Sequence, residues 1–252
     1  MKRILYIILW LALPLLSFAD NNTTASFEKG NALYAKSNYK EALEVYKKLI
    51  GEGYQSTALY FNMGNASYKT GDIPSAILYY EKAHKLSPGD KDISFNIQYA
   101  NQRTTDKVVE APEFFITKWW KGFILALSLN TLSVMSIVLV LLASVSLIVY
   151  FFSEALTLKK GAFYTAVSLF VICLLFVFIA NRQAAYFEGH KQAIVFTASV
   201  TVKSAPAEKA GNLFILHDGT KVNVLDTTNG WTKVQLANGN EGWLKGNDIK
   251  EI

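Results

Sequence analysis

A self-similarity at a fixed spacing of 34 residues constrains this chain more than any other feature. Gly30-Asn31-Ala32 recurs as Gly64-Asn65-Ala66, Tyr34 as Tyr68, Ala42 as Ala76 and Tyr46 as Tyr80, each at an offset of 34. A period of this length marks a supersecondary unit that stacks on its neighbour to cover an apolar face it cannot bury alone. Glycine and alanine at repeated positions predict helices that approach closely. Gly71-Asp72 predicts a turn followed by an N-cap, and Pro88 closes the second helix.

These residues resemble the tetratricopeptide repeat (TPR), a helix–turn–helix unit. In the second copy Tyr60 fills the Trp position and Met63-Gly64 the Leu-Gly position; Tyr68, Gly71-Asp72, Ala76, Tyr80, Ala83 and Pro88 follow in register. The first copy departs from the pattern at Ser26, Lys29 and Tyr54, as expected of a terminal unit that packs on one side. We expect a TPR domain over 20–110, with repeats at about 23–56 and 57–90 and a capping helix at 91–103 carrying Ile93, Ile97 and Ala100 at helical spacing. The resemblance implies a concave groove lined by the first helix of each unit. It assigns partner binding to Phe27, Asn31 and Tyr34, to Phe61, Asn65 and Tyr68, and to Phe95, Tyr99 and Arg103. Of the basic residues that some TPR domains use to clamp a carboxylate, Arg103 matches, whereas Phe27 and Tyr99 stand in two other slots. The alternative reading of the repeated Gly-Asn and Tyr residues is that they hold the repeat itself.

The chain is 51% hydrophobic, and the excess lies in three blocks. Ile4–Leu16 follows Met1-Lys2-Arg3 and precedes Ser17-Phe18-Ala19, the pattern of an export signal over 1–19. Thirteen helical residues rise only about 20 Å against a hydrocarbon core of about 30 Å, which favours a cleaved signal over a retained anchor. Leu132–Phe152 is 21 residues without a charge and Ala162–Ala180 is 19, each long enough to span a bilayer. Trp119-Trp120 between Lys118 and Lys121 predicts an interfacial helix ahead of them. The segment 111–192 therefore reads as an interfacial helix and two transmembrane helices at about 132–152 and 162–180. Neither span holds an ionisable residue, which leaves an ion or proton path without a candidate. An exported N-terminus and two spans return the chain to the exported side.

The formal net charge is +5, but both soluble pieces are neutral: residues 20–110 hold eleven basic and eleven acidic residues, and 193–252 hold six of each. The surplus sits at the N-terminus and beside the apolar blocks, where it serves a membrane surface. A nucleic-acid partner is excluded on location. Cys173 is the single cysteine, and His84, His190 and His217 fall in three separate segments. No catalytic constellation, metal set or cofactor motif is present in the sequence.

From Val195 onward the pattern changes to short β-rich runs between turn signals, about five strands and so a small barrel over 193–252. The order Val200-Thr201-Val202…Pro206, Asp218-Gly219…Val222-Asn223-Val224, Gly230-Trp231…Val234, Gly242-Trp243-Leu244 resembles the bacterial SH3-like domain. Trp231 and Trp243 are candidate ligand-stacking residues, with packing of the barrel as the alternative. The fold class expected is a multi-domain membrane protein: an all-α TPR solenoid, a two-helix transmembrane hairpin and a small all-β SH3-like barrel. Signal, TPR, hairpin and SH3-like domain in this order resemble the BatE family, the TPR-containing component of the Bacteroides aerotolerance (Bat) operon. That resemblance implies a non-enzymatic scaffold in the bacterial inner membrane, multi-pass, with both modules on the periplasmic side. Its partners would be the lipid bilayer and other membrane or periplasmic proteins, among them von Willebrand A-domain Bat proteins, in an envelope-stress complex. The second function class is a cell-wall tether or sensor that binds peptidoglycan through the SH3-like domain.

Overall fold

The structure, a computed structural model, describes residues 21–109 and 111–252; the export signal expected over 1–19 lies outside the described residues. The chain divides into two compact units at Gln55/Ser56, taken in turn below.

In the first unit, α1 (Asn21–Ala35) pairs with α2 (Tyr39–Gly51). Ala42, Tyr46 and Leu49 are the buried positions of α2, one stripe at helical spacing. Gly30 of α1 lies under the Tyr46 ring, so close that a Cβ there would overlap it. That contact explains why the sequence repeats a glycine and a tyrosine at these two positions.

The second unit begins with the corresponding pair, α3 (Thr57–Thr70) and α4 (Ile73–Leu86). Ser56 caps α3 by accepting from the Leu59 amide at 3.1 Å, and Asp72 caps α4 by accepting from Ser75 at 3.1 Å. Gly64 packs under the Tyr80 ring as Gly30 does under Tyr46. The capping helix α5 (Lys91–Asn101) starts at Asp90, whose carboxylate accepts from the amides of Asp92 and Ile93 at 2.9 and 3.3 Å. Ile93 and Ala100 are its buried residues.

After α6 (Phe115–Ile124), two long apolar helices, α7 (Leu129–Phe152) and α8 (Leu156–Gly189), lie side by side. Ala143, Ala162, Ala166 and Cys173 are buried, small residues that let the two backbones approach. Only 11% and 22% of their most apolar stretches are buried, and Val134, Ile137, Phe170, Val171 and Leu174 point outward. Burial this low is unlike the core helix of a water-soluble domain. Both helices outrun the charge-free stretches that predicted them. At 1.5 Å per residue, the 34 residues of α8 extend about 50 Å, and its last turns lead into the first strand with only His190 and Lys191 between.

Seven strands follow: β1 (Gln192–Val195), β2 (Ser199–Lys203), β3 (Asn212–His217), β4 (Lys221–Thr228), β5 (Trp231–Gln235), β6 (Glu241–Lys245) and β7 (Ile249–Glu251). They form one antiparallel sheet in the order β3-β2-β6-β5-β4-β1-β7. The β4–β5 turn places Asn229 and Gly230 at φ 51° and 78°, the pair of positive values that a two-residue hairpin with right-handed twist demands. Val195, Val202, Val222, Val234 and Leu244 form the core of this β-domain. The two strands beyond the expected five are the short ones at the ends, β1 against the helix and β7 after a single 3-10 turn.

Candidate functional site

The β-domain does not hang free of the helices. Ile194 of β1 is fully buried in a cluster with Ala76, Ile77, Leu78 and Tyr80 of α4 and Ala100 of α5; Phe196 and Ile252 pack around it. Polar contacts frame this apolar centre. Lys221 Nζ donates to Glu81 Oε2 at 2.7 Å, and Lys85 Nζ donates to the Ile252 carbonyl at 3.0 Å. Beyond α5 the chain runs along the barrel. There the Asp106 carboxylate accepts from the His217 amide at 2.7 Å, the His217 ring at 2.8 Å and the Thr220 hydroxyl at 2.7 Å. The Ala111 amide donates to the Ala237 carbonyl at 2.9 Å. Toward the apolar helices, Gly89 abuts the Ala126 carbonyl so closely that a side chain there would collide with backbone. Second repeat, capping helix, apolar hairpin and barrel are thus joined at several points, a feature that reading them as successive modules misses. A signal for it was the run Ile194-Val195-Phe196, apolar on both faces where a strand with one face in water alternates.

Two titratable groups at this junction have shifted equilibria. Burial alone would push the Asp106 carboxyl up, but the three hydrogen bonds from His217 and Thr220 outweigh it and hold the group below the ordinary carboxylate value. His84 of α4 is held below the ordinary imidazole value, first by burial and then by Lys221 and Lys121, against the opposing pull of Glu81 and the Pro88 carbonyl.

The residues assigned to partner binding fall into two groups. In the first unit, Asn31 Oδ1 accepts from the Tyr46 hydroxyl at 2.9 Å, Phe27 packs 6.1 Å from the Tyr46 ring and Tyr34 packs 5.2 Å from Tyr39. In the second unit, Asn65 Oδ1 accepts from Tyr80 at 2.7 Å and Phe61 packs 5.9 Å from Tyr80. The asparagine oxygens therefore hold first helix to second in both copies. Tyr68, Tyr99 and Phe95 come together across α3 and α5: Tyr68 is 5.3 Å from Tyr99, and Phe95 stacks on Tyr99 at 6.2 Å with the planes 8° apart. Phe95 is 65% and Tyr99 44% exposed, and Arg103, also exposed, lies one turn beyond Tyr99. This gives two solvent-facing rings on one face of α5, with exposed Arg103 two residues past its end.

Trp231 and Trp243 sit on the outer face of the β5–β6 pair. Thr232, Val234 and Leu244 point inward and are buried. Pleat alternation sends Trp231, Lys233, Trp243 and Lys245 to the other side, where Trp231 pairs with Lys245 and Lys233 with Trp243. Both tryptophans are only partly buried, diagonal to one another and interleaved with lysines.

The repeat and the barrel define a class of protein built from binding modules. The family model of the tetratricopeptide repeat matches residues 57–90 and that of the bacterial SH3 domain matches 198–250, so the chain carries one recognised copy of each. Both are families of binding domains, not of catalysts. No curated relative matches the chain. Among solved structures, an NlpC/P60 family protein from Bacillus cereus aligns at 22% identity over 28% of this chain and 23% of its own, with a TM-score of 0.22. The C-terminal SH3 domain of myosin IB from Entamoeba histolytica aligns at 27% identity over 25% of this chain and 93% of its own, with a TM-score of 0.18. This chain spans less than a quarter of the first of these.

Proposed function

We propose that the chain is a non-enzymatic scaffold anchored in a bacterial inner membrane, with α7 and α8 crossing the bilayer as a hairpin. The observation that carries this reading is the junction of Ile194, Glu81–Lys221 and Asp106–His217. A repeat before the hairpin and a barrel after it make direct contact only when both lie on one side of the membrane. The exposed apolar surface of α7 and α8 supports the anchor, and Trp119 and Phe123 on α6 suit the headgroup region. Protein partners are held on the exported side by Tyr68, Phe95, Tyr99 and Arg103 together with Phe61 and Asn65; Phe27, Asn31 and Tyr34 serve the same role within the first unit. On its resemblance to the BatE family, we assign this scaffold to a Bat-type aerotolerance complex with von Willebrand A-domain proteins.

The test is in-membrane crosslinking from photoreactive residues at positions 98 and 102, exposed neighbours of Phe95 and Tyr99, followed by mass spectrometry. A discrete crosslinked protein that is lost in Phe95→Ala/Tyr99→Ala supports the scaffold. Crosslinks to lipid or to nothing at both positions remove this face from the mechanism.

A second reading, a cell-wall tether, is favoured by one observation: Trp231 and Trp243 face outward, not into the core. Co-sedimentation of the detergent-solubilised chain with purified peptidoglycan, compared with Trp231→Ala/Trp243→Ala, separates the two readings.

A further inference from the structure

A cleft of about 980 Å³ opens where α5, α6, the end of α8 and the β-domain converge, within the size range of small-molecule sites. Trp120 and Lys121 of α6, Arg182 and Tyr186 of α8, and Asn223 and Gln235 of the β-domain line it. Asn223 Oδ1 accepts from Gln192 at 3.0 Å and Gln235 Nε2 donates to Glu241 at 2.7 Å, so Asn223 Nδ2 and Gln235 Oε1 are the groups offered to a ligand. Arg182 is the second residue after the charge-free stretch 162–180, so it marks the level at which α8 leaves the apolar region. Its neighbour Gln183 is fully buried and donates to the Leu127 carbonyl at 2.9 Å. That bond pins α8 to the α6–α7 connection one residue past Arg182.

The charges around the cleft are unevenly satisfied. Glu81 is taken by Lys221 at 2.7 Å, Asp106 by His217 and Thr220, and Glu113 lies 3.5 Å from Lys121. Lys121 is also braced over the Tyr186 ring, 5.9 Å from its centroid. Among the described residues no carboxylate lies within ion-pairing distance of Arg182, which is exposed. A guanidinium with no carboxylate partner among the described residues, lining one cleft with an ammonium and two carboxamides, matches a phosphodiester bearing a polar alcohol.

The geometry points to this cleft as a site for the headgroup of an anionic phospholipid, with Arg182 gripping the phosphate, Lys121 beside it, and Asn223 and Gln235 receiving the headgroup hydroxyls. The acyl chains lie along the exposed apolar surface of α7 and α8. This inference rests on the membrane reading above.

The full chain in detergent, back-titrated with equimolar phosphatidylglycerol and phosphatidylcholine, provides the test, with retained lipid read by native mass spectrometry. The wild type retains phosphatidylglycerol at least about five-fold over phosphatidylcholine, the scale of one basic residue at an anionic surface. Arg182→Gln brings that ratio near one. Lys160→Gln removes the same charge elsewhere on α8 and leaves the ratio unchanged. Ala185→Trp, which keeps Arg182 but fills the cleft, abolishes the preference. Equal losses in Arg182→Gln and Lys160→Gln, or an unaffected Ala185→Trp, overturn the site. Displacement of the lipid by equimolar glycerophosphoglycerol shows a soluble-anion site and overturns the lipid assignment. Extraction of the chain from membranes by alkaline carbonate sinks the membrane reading itself, whereas retention with an unchanged lipid ratio in Arg182→Gln sinks only the cleft.

Discussion

Glu81 of α4 and Lys221 of β4 lie 140 residues apart in sequence and meet at 2.7 Å, with the Glu81 side chain 7% exposed and that of Lys221 33%. Removing Lys221 strands a nearly buried carboxylate, whereas removing both partners leaves no orphan charge. We expect Lys221→Met to destabilise the second unit by about 1 to 3 kcal/mol. The double variant Glu81→Ala/Lys221→Met falls short of the sum of the two single losses. Thermal unfolding in detergent reads all three; strict additivity would show that the pair contributes nothing to docking.

Asp106 sets an acid limit on the same junction. Its folded pKa lies below the ordinary 3.8 because the bonds from His217 and Thr220 outweigh its burial. The unfolded chain therefore binds more protons in this range, and stability rises with pH. The contribution is complete above 3.8 and is lost as the pH falls through the depressed value. Asp106→Asn removes it at neutral pH, lowering stability by about 1 to 3 kcal/mol, and flattens the acid limb of the melting curve. Hydrogen exchange over β3 and the β3–β4 turn locates the loss.

His84 acts in a different window. Its folded pKa lies below 6.5, chiefly through burial, so the neutral ring belongs to the folded state. Stability is complete above 6.5 and declines as the pH falls from 6.5 through the depressed value. We expect His84→Gln to melt at nearly the same temperature at pH 7.5 and pH 5.5, while the wild type loses stability over that interval. A wild type equally flat would place His84 in water.

The Gly64–Tyr80–Asn65 contact shows what the sequence made legible. The 34-residue offset repeats a glycine, an asparagine and a tyrosine because the ring lies on the glycine and its hydroxyl reaches the asparagine, in both units. Recurrence thus encoded a contact, and Asn65 was open to being read as a free binding residue only because its intrachain partner lies 15 positions away. Gly64→Ala pushes a methyl group into the Tyr80 ring, and we expect a loss of about 1 to 3 kcal/mol. Tyr80→Phe keeps the ring and removes the hydroxyl, with a loss of about 1 kcal/mol.

The face of Trp231 was only half legible. Thr232 and Val234 alternate with it, and period two admits only one of the two sets to the core. Docking of the barrel was not legible, because His217 and Asp106 are separated by 111 residues and no periodicity links two groups that distant. Local rules delivered the elements and the turns; the junction depends on pairs that only the folded chain brings together.

Phe95 and Tyr99 separate binding from folding. Both rings are exposed, 65% and 44%, and they pack against each other and Tyr68. Phe95→Ala/Tyr99→Ala therefore sacrifices little apolar burial, and we expect less than about 1.5 kcal/mol of destabilisation. Two aromatic anchors at the centre of a contact contribute about 2 kcal/mol or more each to binding, so partner affinity falls by at least about thirty-fold. Melting temperature and crosslinked yield, measured on the same preparation, distinguish the two roles. A large drop in stability with parallel loss of crosslinking would make the pair a packing feature. Retained stability with lost crosslinking assigns it to the partner, and Arg103→Glu should then weaken binding through charge while leaving the melting temperature unchanged.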